Sequence, residues 1–137
     1  MTKKIIINEF ANTNYLSGSN KEASLCCEMV KRAVIDCHTV VDKILNDIPV
    51  DIFSILGMRN LSAFIGEIFA KSLASESAGL LKSNPHQDGY PDLLLLDKVG
   101  QELWSEIEKR GELRAKEPFS PFANGGLEVK ATCGSVP

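Results

Sequence analysis

Composition and charge narrow the possible classes of protein. The chain has 137 residues, of which 44% are hydrophobic and 24% charged, as expected of one globular domain with a buried core. Its net charge of −3 argues against a surface coated in positive charge, which is common in proteins that bind nucleic acids. The sequence has no run near the roughly 18 apolar residues of a membrane span, so we expect no membrane association.

The cysteines and the first residues bear on the cellular compartment. The four cysteines have neither the spacing of a zinc site nor the spread of a disulfide framework. The apolar run near the amino terminus extends only from Ile5 to Ile7, which is too short for a secretory signal. We therefore expect a reducing, cytoplasmic setting.

The amino-terminal half of the chain predicts helices. Ser19 followed by Glu22 is a capping-box pattern, after which apolar residues recur at three- and four-residue steps until Pro49 ends the pattern. A second segment, 61–78, is apolar on nearly every side, as expected of a helix packed within a domain. We therefore expect 19–80 to be helical.

Two segments in the carboxy-terminal half predict strands that carry charges. Residues 92–97 begin with Asp92 and continue with four leucines, as in a strand buried on both faces. In 126–132 apolar and charged residues alternate, so Glu128 and Lys130 share one face and their apolar neighbours occupy the other. Both strands thus present charge where a buried strand should have none.

Together these elements predict an α/β fold of the α+β kind in a single domain spanning 1–137. We expect the helical amino-terminal half to pack on a small, incomplete mixed sheet that contains both charged strands. A charged helix over 101–110 and a Pro- and Gly-containing loop over 116–126 are expected to separate the two strands.

The charges on the two strands follow a particular order. Pro91 and Asp92 form the only Pro-Asp pair in the sequence, and Glu128-Val129-Lys130 is its only Asp/Glu-x-Lys triplet. Carboxylates are hard oxygen ligands suited to Mg²⁺, and a nearby lysine can orient a water or stabilise developing negative charge. This order resembles the PD-(D/E)XK nuclease family, which includes many type II restriction endonucleases.

The resemblance implies a fold of the restriction-endonuclease type and Mg²⁺-dependent hydrolysis of double-stranded DNA. Asp92 and Glu128 would hold the metal as catalytic residues, and Lys130 would assist the attacking water. In several branches of the family an acidic residue on a helix before the Pro-Asp strand also reaches the metal. Glu67 matches that position in order.

Each of these residues also has a structural explanation. Asp92 could cap a turn after the proline, and Glu128 and Lys130 could be solvent-facing charges of an edge strand. Glu67 could form an i,i+4 ion pair with Lys71 at the edge of its helix. The main alternative is therefore a non-enzymatic helical interaction protein in which Asp92, Glu128 and Lys130 do not converge.

The last residues depart from the family pattern. The family core continues after the Glu-x-Lys strand with a helix and a further strand, whereas only residues 131–137 follow Lys130. We expect either an amino-terminal or truncated portion of a longer enzyme, with little cleavage activity on its own, or a divergent relative. A catalytic strand at a sheet edge favours pairing with a second copy, so we expect a homodimer.

Overall fold

Helices and short antiparallel strands alternate along the chain. The computed structural model describes residues 14–17, 24–86, 89–124 and 126–132. These residues form a mixed α+β fold, the coarse class that the sequence predicts. In chain order the elements are β1 (Asn14–Ser17), β2 (Ser24–Cys26), α1 (Cys27–Asp47), α2 (Ile52–Ile55), α3 (Met58–Glu76), β3 (Leu81–Ser83), β4 (Leu93–Leu95), α4 (Lys98–Lys109) and a 3₁₀ helix at Glu117–Asn124.

The first long helix begins later than the sequence predicts. Ser24–Cys26 is a strand that pairs antiparallel with β1, and α1 starts only at Cys27. The expected helical stretch 19–80 is therefore wrong at its start, and Ser19, its predicted cap, lies outside the described residues. Three residues are too few to distinguish the alternating pattern of a strand from the spacing of a helix. The strand forms here because it pairs with β1, a contact that the local sequence does not reveal.

Helices α1 and α3 form one layer of the core. They pack against each other, and small or branched residues on the facing sides are buried, including Ala33 and Cys37 on α1 and Ala70 and Leu73 on α3. The nearly all-apolar α3 fits this position between α1 and the sheet. Within the described parts of the chain, no helix combines the length and the apolar character needed to cross a membrane.

Strand β4 is the centre of the carboxy-terminal sheet. On one side it pairs antiparallel with β3, in the register Leu81 opposite Leu95. On the other side Leu93 and Leu127 exchange two backbone hydrogen bonds of 2.9 Å, also antiparallel. The predicted strands 92–97 and 126–132 are thus neighbours, but the regular strand is confined to Leu93–Leu95 and the second segment forms a single bridge at Leu127. Strand β3 was not predicted.

The leucines of β4 are buried on both faces, as their sequence predicts. Leu93 and Leu95 join the core cluster formed with α1 and α3. Leu94 faces the other way, into a second cluster with Ile107 of α4 and Phe119 of the 3₁₀ helix. The sheet is therefore covered by helices on both sides, and β4 is held in the middle of the molecule.

A glycine allows the Leu127 segment to approach β4. A Cβ on Gly126 would lie 2.5 Å from the carbonyl oxygen of Leu93 and 3.0 Å from that of Phe122, and it would overlap the ring of Pro91. No side chain fits there unless the backbone moves. Glycine at this position is thus required by the pairing that joins the two motif segments.

We predict that Gly126→Ala lowers the free energy of unfolding by about 2 kcal/mol, because the added methyl group must push the two segments apart. Urea denaturation followed by circular dichroism measures this. Gly57→Ala is the control for an unhindered methyl group, since a Cβ on Gly57 meets nothing within 4 Å. Because Gly57 is the N-cap of α3, where Gly is preferred to Ala, we expect a loss of about 1 kcal/mol or less. Equal stability of Gly126→Ala and wild type would contradict the close pairing.

Candidate active site

The register of the Leu93–Leu127 bridge sets Asp92 directly opposite Glu128. In an antiparallel pair each step backwards on one strand matches a step forwards on the other, so Asp92 and Glu128 are the next pair after the bridge. The bridge is a hydrogen-bonded pair, so Asp92 and Glu128 occupy a non-hydrogen-bonded position, where facing side chains are closest. Both carboxylates therefore project from the same face, opposite to Leu93 and Leu127.

Two hydrogen bonds between backbone and carboxylate connect the acidic pair. The backbone N–H of Val129 donates to Oδ2 of Asp92 at 2.8 Å, and the backbone N–H of Asp92 donates to Oε2 of Glu128 at 3.2 Å. Regular pairing would direct the Val129 N–H to the carbonyl of Pro91, but proline has no N–H to return the bond, and the ladder stops there. The Asp92 carboxylate takes the place of that carbonyl, so its position is determined by the backbone.

Lys130 reaches the same group from the solvent side. Its Nζ donates to Oε1 of Glu128 at 3.2 Å. The side chain of Lys130 is 83% exposed and that of Glu128 is 28% exposed. Facing carboxylates repel each other, and the lysine offsets part of that repulsion. Asp92, Glu128 and Lys130, which the sequence analysis singled out, are thus brought together.

The three residues line one open cavity of about 720 Å³ between the end of the sheet and α3. Glu67 and Lys71 of α3 line it as well. No ion pair joins Glu67 to Lys71 in the described structure, so the i,i+4 pairing considered from the sequence does not form. Two acids from the sheet and one from the helix therefore border the same space.

The fit of this cavity to a divalent cation rests on Asp92 and Glu128. Mg²⁺ prefers oxygen ligands and is commonly held by one or two carboxylates, with waters and substrate phosphate completing its coordination. Among the described residues, no group of three or more His, Cys, Asp or Glu side chains lies close enough together to hold a metal ion. Glu67 borders the cavity without joining the pair, so the acidic donor set fits Mg²⁺ as two ligands and not as three.

Asn84 is a residue of the site that sequence reasoning missed. Its side chain donates from Nδ2 to the carbonyl oxygen of Pro91 at 3.0 Å and accepts from the backbone N–H of His86 at 2.9 Å. Its own backbone N–H donates to the carbonyl oxygen of Asp92 at 2.9 Å. Asn84 therefore holds the Pro91–Asp92 segment from the β3 side. An Asn before Pro is a common turn signal, and nothing local indicates these partners.

Among the other chemically capable side chains, His86 also lines the cavity, whereas His38 and Cys37 lie away from it. His38 Nε2 lies 3.2 Å from Oδ2 of Asp42 on the same helix, in keeping with a structural role. Burial, with a smaller contribution from Asp36, raises the pKa of the Cys37 thiol above its usual value, which makes it a poor nucleophile at neutral pH. Gln87 and Asp88, next to His86, are outside the described residues.

Comparison with known proteins adds no relative. No protein-family model matches the chain, and neither a curated protein nor a solved structure is detectably similar to it. The functional interpretation of the cavity therefore depends on its residues and their geometry.

We predict that Asn84→Ala lowers the free energy of unfolding by about 1–2 kcal/mol, because it removes two side-chain hydrogen bonds beside the acidic pair. Urea denaturation checks this value. Asn46→Ala, at an exposed position in α1, serves as the control and should change stability by about 0.5 kcal/mol or less. If both variants behave like wild type, Asn84 does not hold the Pro91–Asp92 segment in solution.

Proposed function

We propose that this protein is an Mg²⁺-dependent endodeoxyribonuclease that hydrolyses phosphodiester bonds of double-stranded DNA, related to the PD-(D/E)XK enzymes. The observation that carries the proposal is the hydrogen-bonded pair of Asp92 and Glu128, with Lys130 on Glu128, at the edge of an open cavity. A cavity of about 720 Å³ can admit a phosphodiester group.

The roles of the three residues follow from their chemistry. Asp92 and Glu128 would hold Mg²⁺, which when bound supplies positive charge against the phosphate and an activated water. Lys130 would orient the attacking water and stabilise negative charge as it develops on the phosphate oxygens. The Val129 N–H keeps the Asp92 carboxylate in one orientation without a second side chain, which is the preorganisation that such a site needs.

The order of elements around the site is compatible with a fold of the restriction-endonuclease type. An acid-bearing helix, α3, precedes β3, and Asp92 then directly precedes β4, beside the segment with Glu128 and Lys130. We also propose that the enzyme acts on duplex DNA in the cytoplasm. Leu127 pairs with β4 alone among the described strands, and we propose that the other edge of its segment mediates a homodimer.

The alternative of a non-enzymatic interaction protein makes a different demand on the geometry. Such a protein has no need for Asp92, Glu128 and Lys130 to converge, and facing carboxylates cost stability unless something offsets their repulsion. The two cross-strand hydrogen bonds to these carboxylates weigh against an accidental placement. We therefore favour the enzyme.

We predict weak binding of Mg²⁺ or Mn²⁺ that is reduced at least about tenfold in Asp92→Asn and in Glu128→Gln, because each substitution removes one anionic ligand. Isothermal titration calorimetry measures the affinities. Glu106→Gln, an exposed change on α4, is the charge-matched control and should bind as wild type does. Identical binding in all four proteins, or binding in none, would remove the metal from the proposal.

We predict weak Mg²⁺-dependent nicking of plasmid DNA, in keeping with the little cleavage activity expected from the sequence, and a further fall by a factor of about 10² or more in Lys130→Met. Lys130→Met leaves both carboxylates in place, so its metal affinity should stay close to that of wild type. Gel analysis of supercoiled plasmid with Mg²⁺ or with chelator reads out cleavage. Cleavage that is equal in wild type and Lys130→Met, or that persists in chelator, would show a different active site or a contaminant.

A further inference from the structure

Lys71 places a second positive charge in the cavity of the acidic pair. It follows Glu67 by one helical turn, so both side chains lie on the same face of α3. Both border the cavity together with Asp92, Glu128 and Lys130. Lys71 is exposed, and the described structure gives it no carboxylate partner.

The charge of the cavity makes this ammonium group significant. Three carboxylates, from Glu67, Asp92 and Glu128, face two lysines, Lys71 and Lys130. Lys130 already donates to Glu128 at 3.2 Å. A phosphodiester entering the cavity adds negative charge to a site that has an excess of it, so an ammonium without a carboxylate partner is the group best able to hold the phosphate.

Small residues surround Lys71 on the helix wall of the cavity. Ser62, Ala63, Gly66 and Ala70 line the same wall of the cavity, and all four are small. Gly66 lies close to Ala131, since a Cβ on Gly66 would be 3.5 Å from that of Ala131, and Ala70 is buried, so a sugar-phosphate strand would approach α3 along its exposed side, at Ala63 and Lys71. The wall provides no array of groups that distinguishes bases, as expected of a contact that positions the backbone without reading sequence.

We propose that Lys71 is a phosphate-binding residue, which holds a backbone phosphate of the substrate strand against the Asp92–Glu128 pair. This assignment rests on the proposed nuclease function and extends it to a second wall of the cavity. Lys71 acts by positioning, and it takes no part in proton transfer or metal binding. One neutralised phosphate contributes one released counterion to binding.

Equilibrium binding of a fluorescent duplex in chelator, where no metal-dependent cleavage occurs, tests the assignment. We expect Lys71→Met to weaken binding by about five- to tenfold near 0.1 M salt and to lower the slope of log K against log salt by about 0.9. Lys71→Arg keeps the charge and should restore the slope. Lys43→Met, an exposed change on α1 that does not border the cavity, should bind as wild type does.

The outcomes separate this assignment from the proposed function. If the wild type binds the duplex and Lys71→Met binds it with the same affinity and the same salt slope, the role of Lys71 is overturned and the nuclease proposal stands. Absence of duplex binding by the wild type at low salt, together with absence of Mg²⁺-dependent cleavage, overturns both. A fall in the slope for Lys71→Met that Lys71→Arg reverses supports the assignment, because a merely structural role for Lys71 would not produce it.

Discussion

The antiparallel pairing of Leu93 with Leu127 is the constraint on which the candidate site depends. Leu93 is fully buried in the core with α1 and α3, and its two hydrogen bonds to Leu127 determine which residues face each other next. A slip of one residue would move Glu128 to the opposite face, away from Asp92. The cavity chemistry is therefore established by apolar packing and backbone hydrogen bonds, and the acidic residues take the positions that this register leaves to them.

The acidic pair itself is costly to stability. Like charges directly opposite each other on neighbouring strands repel, and natural sheets tend to avoid them. Here the Val129 N–H, the Asp92 N–H and the Lys130 ammonium each offset part of this repulsion. A chain selected only for a stable sheet would place apolar or oppositely charged residues at these positions. A local conflict of this kind, held in place by several specific bonds, is the pattern expected of a functional site.

The spacing of apolar residues and the composition of each segment predicted part of the fold and of the candidate site. Alternation in the 126–132 segment placed Glu128 and Lys130 together, the leucine run predicted a buried strand, and the apolar segment 61–78 corresponds to α3 at Met58–Glu76. Strands β2 and β3 have three residues each, too few for a period to appear, so they were missed. The cross-strand partners of Asp92 and the contacts of Asn84 depend on tertiary pairing, which no local pattern encodes. Glu67 lies on a helix, as the sequence predicts. Whether it joins the acidic pair depends on how α3 packs, and the described structure contains no such group of three.

The negative net charge of the chain can be reconciled with an anionic substrate by considering where the cations lie. Arg32 and Arg110 are paired with glutamates, and the ammonium of Lys82 packs over the ring of Trp104 at 4.0 Å. The charges of the two arginines are therefore largely cancelled at a distance, whereas the neutral ring leaves the charge of Lys82 in place. Long-range steering of DNA by a chain with a net charge of −3 is weak. Under the proposed function, affinity for a phosphate would arise at short range, within the cavity that Lys71 and the acidic pair border. An acidic protein can thus hold a phosphodiester where a lysine, joined by a divalent cation when one is bound, offsets the local negative charge, which ties binding to the same place as the proposed chemistry.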